Sequence, residues 1–151
     1  MATLKLDNLK KEFGSTILAV DDLSFKIEDG EFIVIVGPSG CGKSTTLNCI
    51  AGLEKPTSGD ILLGGESIIE QRPQERDIAM VFQNYALYPH MSVEENIGFG
   101  LKMRTDMSAA ERAEKVESVA ELLEIEELLI QQPKDLSGGQ RQRGALGRAI
   151  A

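Results

Sequence analysis

Apolar and polar residues alternate along the first part of the chain, as they do in strands with one buried face. Residues 3–25 follow this alternation, which is interrupted at Gly14 and Ser15, and Leu23 and Phe25 stand among polar neighbours. A period of two residues places successive side chains on opposite faces of a sheet. This part of the chain therefore predicts an antiparallel pair of half-buried strands.

Three later patterns predict further strands. Residues 32–36 form a β-branched apolar run of the length expected for a strand buried on both faces, and residues 78–82 form a second apolar run. Residues 60–63 and 66–69 flank a two-glycine turn, where a positive φ is sterically free. These two flanking segments predict a hairpin.

Helical periodicity dominates after the loop at residues 83–91, which is rich in aromatic residues. Ser108, followed three residues later by Glu111, forms the pattern of a capping box at a helix start. Apolar residues recur behind it at the spacing of one helix face and predict a buried side. The residues of this face are Ala109, Ala113, Val116, Ala120 and Leu123. A shorter helix is predicted at residues 44–52.

The net charge is −8 at pH 7, and residues 106–127 hold eight acidic and two basic residues. Neutralisation of phosphates requires clustered Lys and Arg, so we expect no nucleic-acid partner. Four acidic residues share one helix face, namely Glu114, Glu117, Glu121 and Glu124. A metal site is one interpretation of this spacing, and a solvated helix face is the favoured one.

Cys41 and Cys49 are the only cysteines, and they predict reduced thiols in a cytosolic protein instead of a disulfide scaffold. Residues 1–7 lack the apolar stretch of a signal peptide. The longest apolar runs contain about five residues, against the ~20 that span a bilayer. The sequence therefore predicts a chain that is neither secreted nor membrane-spanning by itself.

Residues 37–44 satisfy the phosphate-binding pattern G-x-x-x-x-G-K-[ST], between a predicted strand and a predicted helix. Small residues let the backbone N–H groups of such a loop face phosphate oxygens, helped by the positive end of the helix. Lys43 would neutralise charge on the γ-phosphoryl group, and the Ser44 hydroxyl would ligate Mg²⁺. A glycine-rich turn that matches by chance is the alternative, and the strand–loop–helix context argues against it.

Residues 136–140, with the sequence Leu-Ser-Gly-Gly-Gln, form a second helix start that contains glycine. Ser137 is suited to be the N-cap, and Gln140 completes a capping box. Gly138 and Gly139 would each cost roughly 1 kcal/mol in a helix interior relative to alanine. That cost is explained if a ligand approaches the backbone closely, because a helix start with small residues and a hydroxyl binds phosphate.

Together these motifs resemble those of the ATP-binding subunits of ABC transporters. Residues 37–44 match the Walker A motif of that family, residues 136–140 match its signature motif, and residues 141–143 continue the match. Residues 81–83 resemble the Q-loop, and Phe13 stands where the family has an aromatic residue that stacks on adenine.

The resemblance covers essentially the whole chain and is strongest to carbohydrate importers of the maltose and glycerol-phosphate type, through residues 76–91. It implies an α/β fold, with a P-loop NTPase (ABC ATPase) core, an antiparallel β subdomain and a helical signature subdomain, incomplete at the C-terminus. The implied division of this partial nucleotide-binding domain puts the β subdomain and P-loop core at about residues 1–92 and the helical subdomain at about residues 93–151.

The resemblance also implies ligands and the residues that hold them. ATP and Mg²⁺ are the expected cofactors, with Lys43 and Gln83 in catalysis and with Ser44 and Gln83 at the metal. The residues expected at the nucleotide in the same chain are Phe13, Gly37, Pro38, Ser39, Gly40, Cys41, Gly42, Lys43, Ser44, Thr45 and Gln83. Those expected to reach it across a dimer are Ser137, Gly138, Gly139 and Gln140.

The implied function is to power the import of a sugar or related solute by ATP binding and hydrolysis. In the family, two nucleotide-binding subunits sandwich two ATP molecules and drive membrane permease subunits, which we expect to dock near residues 83–91. A loop that only covers the core is the alternative for that segment. The expected location is peripheral, at the cytoplasmic face of the cell membrane.

Two features depart from the family pattern. Gly144 stands where relatives usually have valine, and it should loosen the signature helix by up to about 1 kcal/mol. The sequence stops at Ala151, before the Walker B strand, the catalytic glutamate, the switch histidine and the parallel strands that flank the P-loop strand in the family. His90 cannot be that switch, and Glu94 and Glu95 are better explained as the start of a helix.

We therefore expect the first part of a nucleotide-binding domain, from a truncated gene or an incomplete sequence, that does not turn over ATP by itself. Two other functions stay open, namely a soluble ABC ATPase acting on nucleic acid or ribosomes and a catalytically dead nucleotide-binding fragment. DNA-tethering relatives insert long coiled coils between the two motifs, and no heptad run appears between them here.

Overall fold

The structure, a computed structural model, describes residues 3–14 and 16–151. The chain divides into two compact units, of which one ends at Ile78 and the other begins at Ala79. Each unit has its own hydrophobic core. Of the break predicted at Gly14 and Ser15, Gly14 lies after the end of β1, and Ser15 lies outside the described residues.

The first unit contains one sheet and one α-helix, and the second unit is helical. The elements of the first unit are β1 (Leu4–Phe13), β2 (Ile17–Ile27), α1 (Lys43–Ala51), β3 (Ser58–Leu63), β4 (Glu66–Ser67) and a 3-10 turn at Pro73–Glu75. Those of the second unit are α2 (Val93–Arg104), α3 (Ala109–Leu122), α4 (Gly138–Ile150) and 3-10 turns at Glu126–Leu128 and Pro133–Asp135. None of the described helices has the length and apolar character needed to cross a membrane.

The sheet has the order β2-β1-β3-β4, and its neighbouring strands are antiparallel. β1 pairs with β2, with Leu4 opposite Ile27, which confirms the predicted antiparallel pair. β3 and β4 form the predicted hairpin, whose turn residues Gly64 and Gly65 have φ values of 62° and 89°. Glycine takes such positive φ values without steric cost, so the two-glycine turn suits this hairpin.

The core of the first unit lies between the sheet and α1. Its buried residues are Leu6, Leu9, Cys49, Ile50, Ile61 and Ile68. The Cys49 thiol is buried in this cluster, and desolvation raises its pKa. Because α1 contributes two of these side chains, the core holds the helix against the strands.

The buried guanidinium of Arg76 forms hydrogen bonds with carbonyl groups at the C-terminal end of α1. Its Nη1 donates to the carbonyl oxygens of Cys49 at 2.7 Å and Ile50 at 2.9 Å, and its Nε donates to that of Gln71 at 3.0 Å. The last carbonyl groups of a helix lack partners within the helix and carry partial negative charge. Arg76 binds two of them, and desolvation by burial lowers the pKa of its guanidinium.

Residues 32–36 and 78–82 do not form the strands that their apolar patterns predict. Neither segment pairs with another strand, and Phe32 and Val36 are 89% and 82% exposed. A strand needs a neighbour that pairs with its N–H and C=O groups and a layer that covers its side chains. The sheet formed by the described residues contains only β1 to β4, so neither segment has such a neighbour there.

Helices α2, α3 and α4 surround the core of the second unit. Each begins with a serine whose hydroxyl accepts from the backbone N–H three residues later, and a Glu or Gln side chain completes the box. The pairs are Ser92 with Glu95, Ser108 with Glu111, and Ser137 with Gln140. The predicted capping boxes at Ser108 and Ser137 are thereby confirmed, and α2 begins at Val93, next to the glutamates predicted to start a helix.

The buried face of α3 lies nearer its C-terminal end than the spacing predicts. Val116 and Ala120 are buried as predicted, and Val119 joins them in the core. Ala109 and Ala113 are exposed, so this part of the predicted face is wrong. The four glutamates of the acidic face are exposed, as the interpretation of a solvated face requires.

Gly144 and Gly147 of α4 allow a paired test of packing. A methyl group on Gly144 would lie 3.6 Å from Leu87 Cδ1, whereas one on Gly147 would lie 3.0 Å from Cδ1 of the fully buried Ile97. Alanine favours a helix over glycine by up to about 1 kcal/mol. We expect Gly144→Ala to raise the melting temperature by about 3 °C and Gly147→Ala to give no gain, because the core must move to fit it.

Thermal unfolding of both variants and the unchanged chain, followed by circular dichroism, measures this difference. An equal gain in the two variants would show that the close approach of Gly147 to Ile97 carries no cost.

Candidate nucleotide-binding site

The loop at residues 37–42 leads directly into α1, as the phosphate-binding pattern predicts. Gly42 is the N-cap of the helix and has a φ of 91°, in the left-handed region. A methyl group on Gly42 would overlap the carbonyl oxygen of Ala19 in β2. A glycine is therefore required at this position, and its backbone lies against the strand at the start of α1.

The first turn of α1 has no side-chain cap, unlike the first turns of α2, α3 and α4. Its cap residue Gly42 has no side chain that could accept a hydrogen bond from the N–H groups of this turn. These donors lie at the positive end of the helix dipole and are available to an external acceptor. A phosphate group is the kind of ligand that such a helix start binds.

Lys43 folds back over the loop that precedes it. Its Nζ donates to the carbonyl oxygens of Gly37 at 2.8 Å and Pro38 at 2.7 Å, and lies 3.4 Å from the Sγ of Cys41. The backbone N–H of Cys41 in turn donates to the Pro38 carbonyl at 3.3 Å. The ammonium is thus held at the loop by hydrogen bonds that it can exchange for the oxygens of a bound phosphate.

The three hydroxyl residues after Lys43 differ in how far they are buried. Thr46 is buried, and its hydroxyl donates to the Gly42 carbonyl at 3.0 Å, while Ser44 is exposed and Thr45 is partly buried. Across residues 3–14 and 16–151, no cluster of three or more His, Cys, Asp or Glu side chains could hold a metal. The exposed Ser44 hydroxyl fits Mg²⁺, which accepts few protein ligands and completes its shell with water and phosphate oxygens.

Phe13 presents an accessible ring at the end of β1. Phe13 is 37% exposed, and the Lys11 ammonium lies 4.7 Å from the centroid of its ring in a cation–π contact. Lys11 Nζ also lies 3.0 Å from a carboxylate oxygen of Glu54, so the cation is held in place. The predicted stacking of Phe13 on adenine stays a prediction.

The start of α4 combines a serine cap with two glycines. The Ser137 hydroxyl accepts from Gln140 N at 3.3 Å, and Gln140 Oε1 accepts from Ser137 N at 2.7 Å. A methyl group on Gly139 would meet none of the described atoms within 4 Å, and one on Gly138 would lie 3.9 Å from the Tyr85 hydroxyl. The backbone of this turn is therefore accessible on the Gly139 side.

Residues 83–91 form the predicted loop, and Gln83 within it is exposed. Asn96 of α2 is fully buried and binds this loop: its Oδ1 accepts from Tyr88 N at 2.8 Å, and its Nδ2 donates to the carbonyls of Tyr88 at 3.2 Å and Met91 at 3.3 Å. Sequence reasoning missed Asn96. The signal that could have found it is a single amide residue among apolar residues of a helix, since a buried amide needs several partners.

The predicted site residues fall into two local groups. Phe13 and residues 37–45 belong to the first unit, whereas Gln83 and residues 137–140 belong to the second. Within the first group, residues 37–42 lead directly into the first turn of α1. The roles of both groups at a nucleotide stay predictions.

Comparison with known proteins agrees with this geometry. The family described as ABC transporter matches residues 20–151, and the chain belongs to this family. The ATP-binding cassette MJ0796, solved as a dimer in a post-hydrolysis state bound to ADP and Pi, matches with a TM-score of 0.89. The two chains are 36% identical, and the match covers 98% of this chain and 69% of the MJ0796 chain. The predicted α/β P-loop fold of an ABC ATPase is thereby confirmed.

Two importer proteins are similar along nearly the whole of this chain. The xylose/arabinose import ATP-binding protein XacJ of Haloferax volcanii is 61% identical over 99% of this chain and 39% of its own length. The sn-glycerol-3-phosphate import ATP-binding protein UgpC of Bordetella avium is 56% identical over 99% of this chain and 41% of its own length. The resemblance to carbohydrate importers is confirmed, and the chain spans less than half the length of these relatives.

Alkylation of Cys41 tests whether the loop binds phosphate. The Cys41 thiol is exposed, whereas the Cys49 thiol is buried and has a raised pKa. We expect MgATP to slow the alkylation of Cys41, because bound phosphates would block access, and to leave the slow labelling of Cys49 unchanged. Peptide-resolved mass spectrometry measures both rates in one sample. Equal rates at Cys41 with and without ATP would contradict phosphate binding by the loop.

Proposed function

We propose that this chain is the nucleotide-binding part of an importer subunit, which binds MgATP at residues 37–45 and powers solute import through membrane permeases. The observation that carries the proposal is the Lys43 ammonium, 2.8 Å from the Gly37 carbonyl and 2.7 Å from the Pro38 carbonyl, beside the uncapped start of α1. One positive charge and a set of backbone donors thus meet at one place, as a polyphosphate requires. Membership of the ABC transporter family supports the same ligand.

In the proposed complex, the backbone N–H groups of the loop hold the phosphates, and Lys43 neutralises the γ-phosphoryl oxygens. Ser44 would supply one ligand to Mg²⁺, and the ion would neutralise further phosphate charge when bound. By its match to the family motif, Gln83 would contact the metal and help to orient the attacking water, and Phe13 would stack on the adenine. These roles follow the match of each residue to the family motifs.

A partner subunit supplies the second contact with the nucleotide in this proposal. Ser137 and Gly139 are exposed at the start of α4, where a bound anion would meet backbone donors and a hydroxyl. In an assembled dimer, residues 137–140 of one subunit would face the γ-phosphate held by the loop of the other. The dimeric state of the cassette MJ0796 supports this arrangement.

The loop at residues 83–91 is the proposed docking surface for a permease. Tyr88, Pro89 and His90 are exposed, and Met91 is partly buried beside them. A short permease helix could place its apolar side on such a surface. The Asn96 hydrogen bonds to the backbone of Tyr88 and Met91 favour the conformation that this loop has in the structure, which would lower the cost of ordering it on docking.

The proposed solute is a sugar or a related compound. Two similar proteins are named for the import of xylose/arabinose and of sn-glycerol-3-phosphate, which supports this class. A permease partner would put the subunit at the cytoplasmic face of the membrane. Within the subunit, we keep the division into a β subdomain with the P-loop core at about residues 1–92 and a helical subdomain at about residues 93–151.

Removal of the Lys43 charge tests nucleotide binding. We expect Lys43→Ala to weaken MgATP binding by about 10- to 100-fold, the cost of one lost hydrogen bond to a charged group. Lys55→Ala is the matched control, because Lys55 is an exposed lysine of the same unit that pairs with Glu70 at 2.7 Å. Isothermal calorimetry at matched salt measures both affinities. Unchanged affinity in Lys43→Ala would contradict the assignment.

Charged substitutions in the loop test permease docking. With the subunit expressed from the full reading frame that encodes it, we expect the double variant Tyr88→Glu, Met91→Glu to lose permease-stimulated ATPase activity in reconstituted vesicles. MgATP binding should persist, because neither residue belongs to the phosphate loop. Met103→Glu is the control, since Met103 is 67% exposed on α2. Stimulation that survives in the double variant would favour a loop that only covers the core.

A further inference from the structure

Residues 85–88 lie along α4 from its first turn to its last. The Tyr85 hydroxyl lies close to Gly138, since a methyl group on that glycine would be 3.9 Å away, and Leu87 Cδ1 lies 3.6 Å from a methyl group placed on Gly144. Near the other end of the helix, Arg148 Nη1 donates to the Ala86 carbonyl at 2.6 Å. The contacts therefore extend over the whole length of α4.

Arg148 makes two different contacts with this segment. Besides its hydrogen bond to Ala86, its guanidinium carbon lies 5.1 Å from the centroid of the Tyr88 ring, in a cation–π contact. The Tyr88 ring also lies 5.0 Å from that of Phe99 in α2, at an angle of 54°. One side chain of α4 thus contacts both the backbone and the exposed aromatic residue of the loop.

The conformation of this segment requires such support. Tyr85 and Ala86 have φ values of 65° and 49°, in the left-handed region that residues with a side chain rarely occupy. Such conformations persist where surrounding contacts determine them. Here the Ala86 carbonyl is bound by Arg148 and the backbone of Tyr88 is bound by Asn96, so the segment is held between α4 and α2.

We infer that Arg148 is a positioning residue that makes the loop at residues 85–88 and helix α4 move as one piece. This inference rests on the proposed function, in which the start of α4 contacts nucleotide and the loop contacts a permease. A displacement of α4 on nucleotide binding would then be passed to Tyr88 through the Arg148 contacts. Arg148 would thereby couple the start of α4 to the loop that contacts the permease.

Arg143 provides a matched control on the same helix. Its Nη1 donates to the carbonyls of Leu123 at 3.2 Å and Glu124 at 3.1 Å, after the end of α3. It therefore resembles Arg148 in chemistry, since each is an arginine of α4 bound to backbone carbonyls of the same unit. The contacts found for Arg143 are with residues 123 and 124, whereas those of Arg148 are with the loop.

The test uses three variants of the subunit, expressed from the full reading frame that encodes it: Arg148→Met, Arg148→Lys and Arg143→Met. The ATPase rate is measured for each subunit alone and in vesicles reconstituted with its permeases, together with the KM for ATP and the melting temperature. We expect Arg148→Met to reduce the ratio of the two rates by about tenfold, within the range of coupling between two sites, and to leave the KM near its original value. Arg148→Lys should have a rate ratio between those of Arg148→Met and the original subunit, because an ammonium can still donate to the Ala86 carbonyl. Arg143→Met should have the same rate ratio as the original subunit.

Hydrogen–deuterium exchange on the same preparations gives a second readout. Addition of MgATP should change the exchange of residues 85–88 in the original subunit and in Arg143→Met, and the change should be absent in Arg148→Met. The inference would be overturned if Arg148→Met kept the original ratio of ATPase rates and if MgATP still changed the exchange of its residues 85–88. It would also be overturned if Arg143→Met lost as much of the rate ratio as Arg148→Met. Failure of the original subunit to bind ATP would instead overturn the proposed function and, with it, this inference.

Discussion

The structure around the candidate site depends on the close approach of Gly42 to the carbonyl of Ala19 in β2. Any side chain at position 42 would overlap that oxygen, so glycine alone lets α1 begin against the sheet. The core then holds the helix through Cys49, and Arg76 binds the carbonyls at its far end. With both ends of α1 determined by the rest of the unit, its first N–H groups and Lys43 are available to a ligand.

The four helices use their first N–H groups in different ways. In α2 and α3, Ser92 and Ser108 each accept a hydrogen bond from one of these donors, and such a cap stabilises a helix by roughly 1 kcal/mol. Helix α1 lacks a side-chain cap and is held by tertiary contacts instead. Helix α4 combines both arrangements, because Ser137 caps it while the small residue Gly139 leaves the backbone accessible. Anion binding is thus proposed only where the backbone of the first turn is open.

The aromatic loop of the second unit shows how an exposed surface can keep one conformation. Tyr85 and Ala86 occupy the left-handed region, which is costly for residues with a side chain. The side chains of Asn96 in α2 and Arg148 in α4 form hydrogen bonds with the backbone of this loop. The ring of Tyr88 contacts both Arg148 and Phe99 of α2. Interior polar contacts therefore determine the shape of the surface that we propose as a docking site.

The sequence by itself determined the features whose partners lie within a few residues. The phosphate loop, the capping boxes and the hairpin turn are local, because each hydrogen bond or φ value in them involves neighbouring residues. Only the tertiary structure decided which apolar runs are covered: residues 32–36 have the pattern of a buried strand, yet Phe32 is 89% exposed. It also decided the partner of Arg148, whose acceptor Ala86 lies 62 positions away. An apolar pattern marks a face that can be buried, and a polar side chain marks a donor, but the covering layer and the acceptor come from parts of the chain that packing brings together.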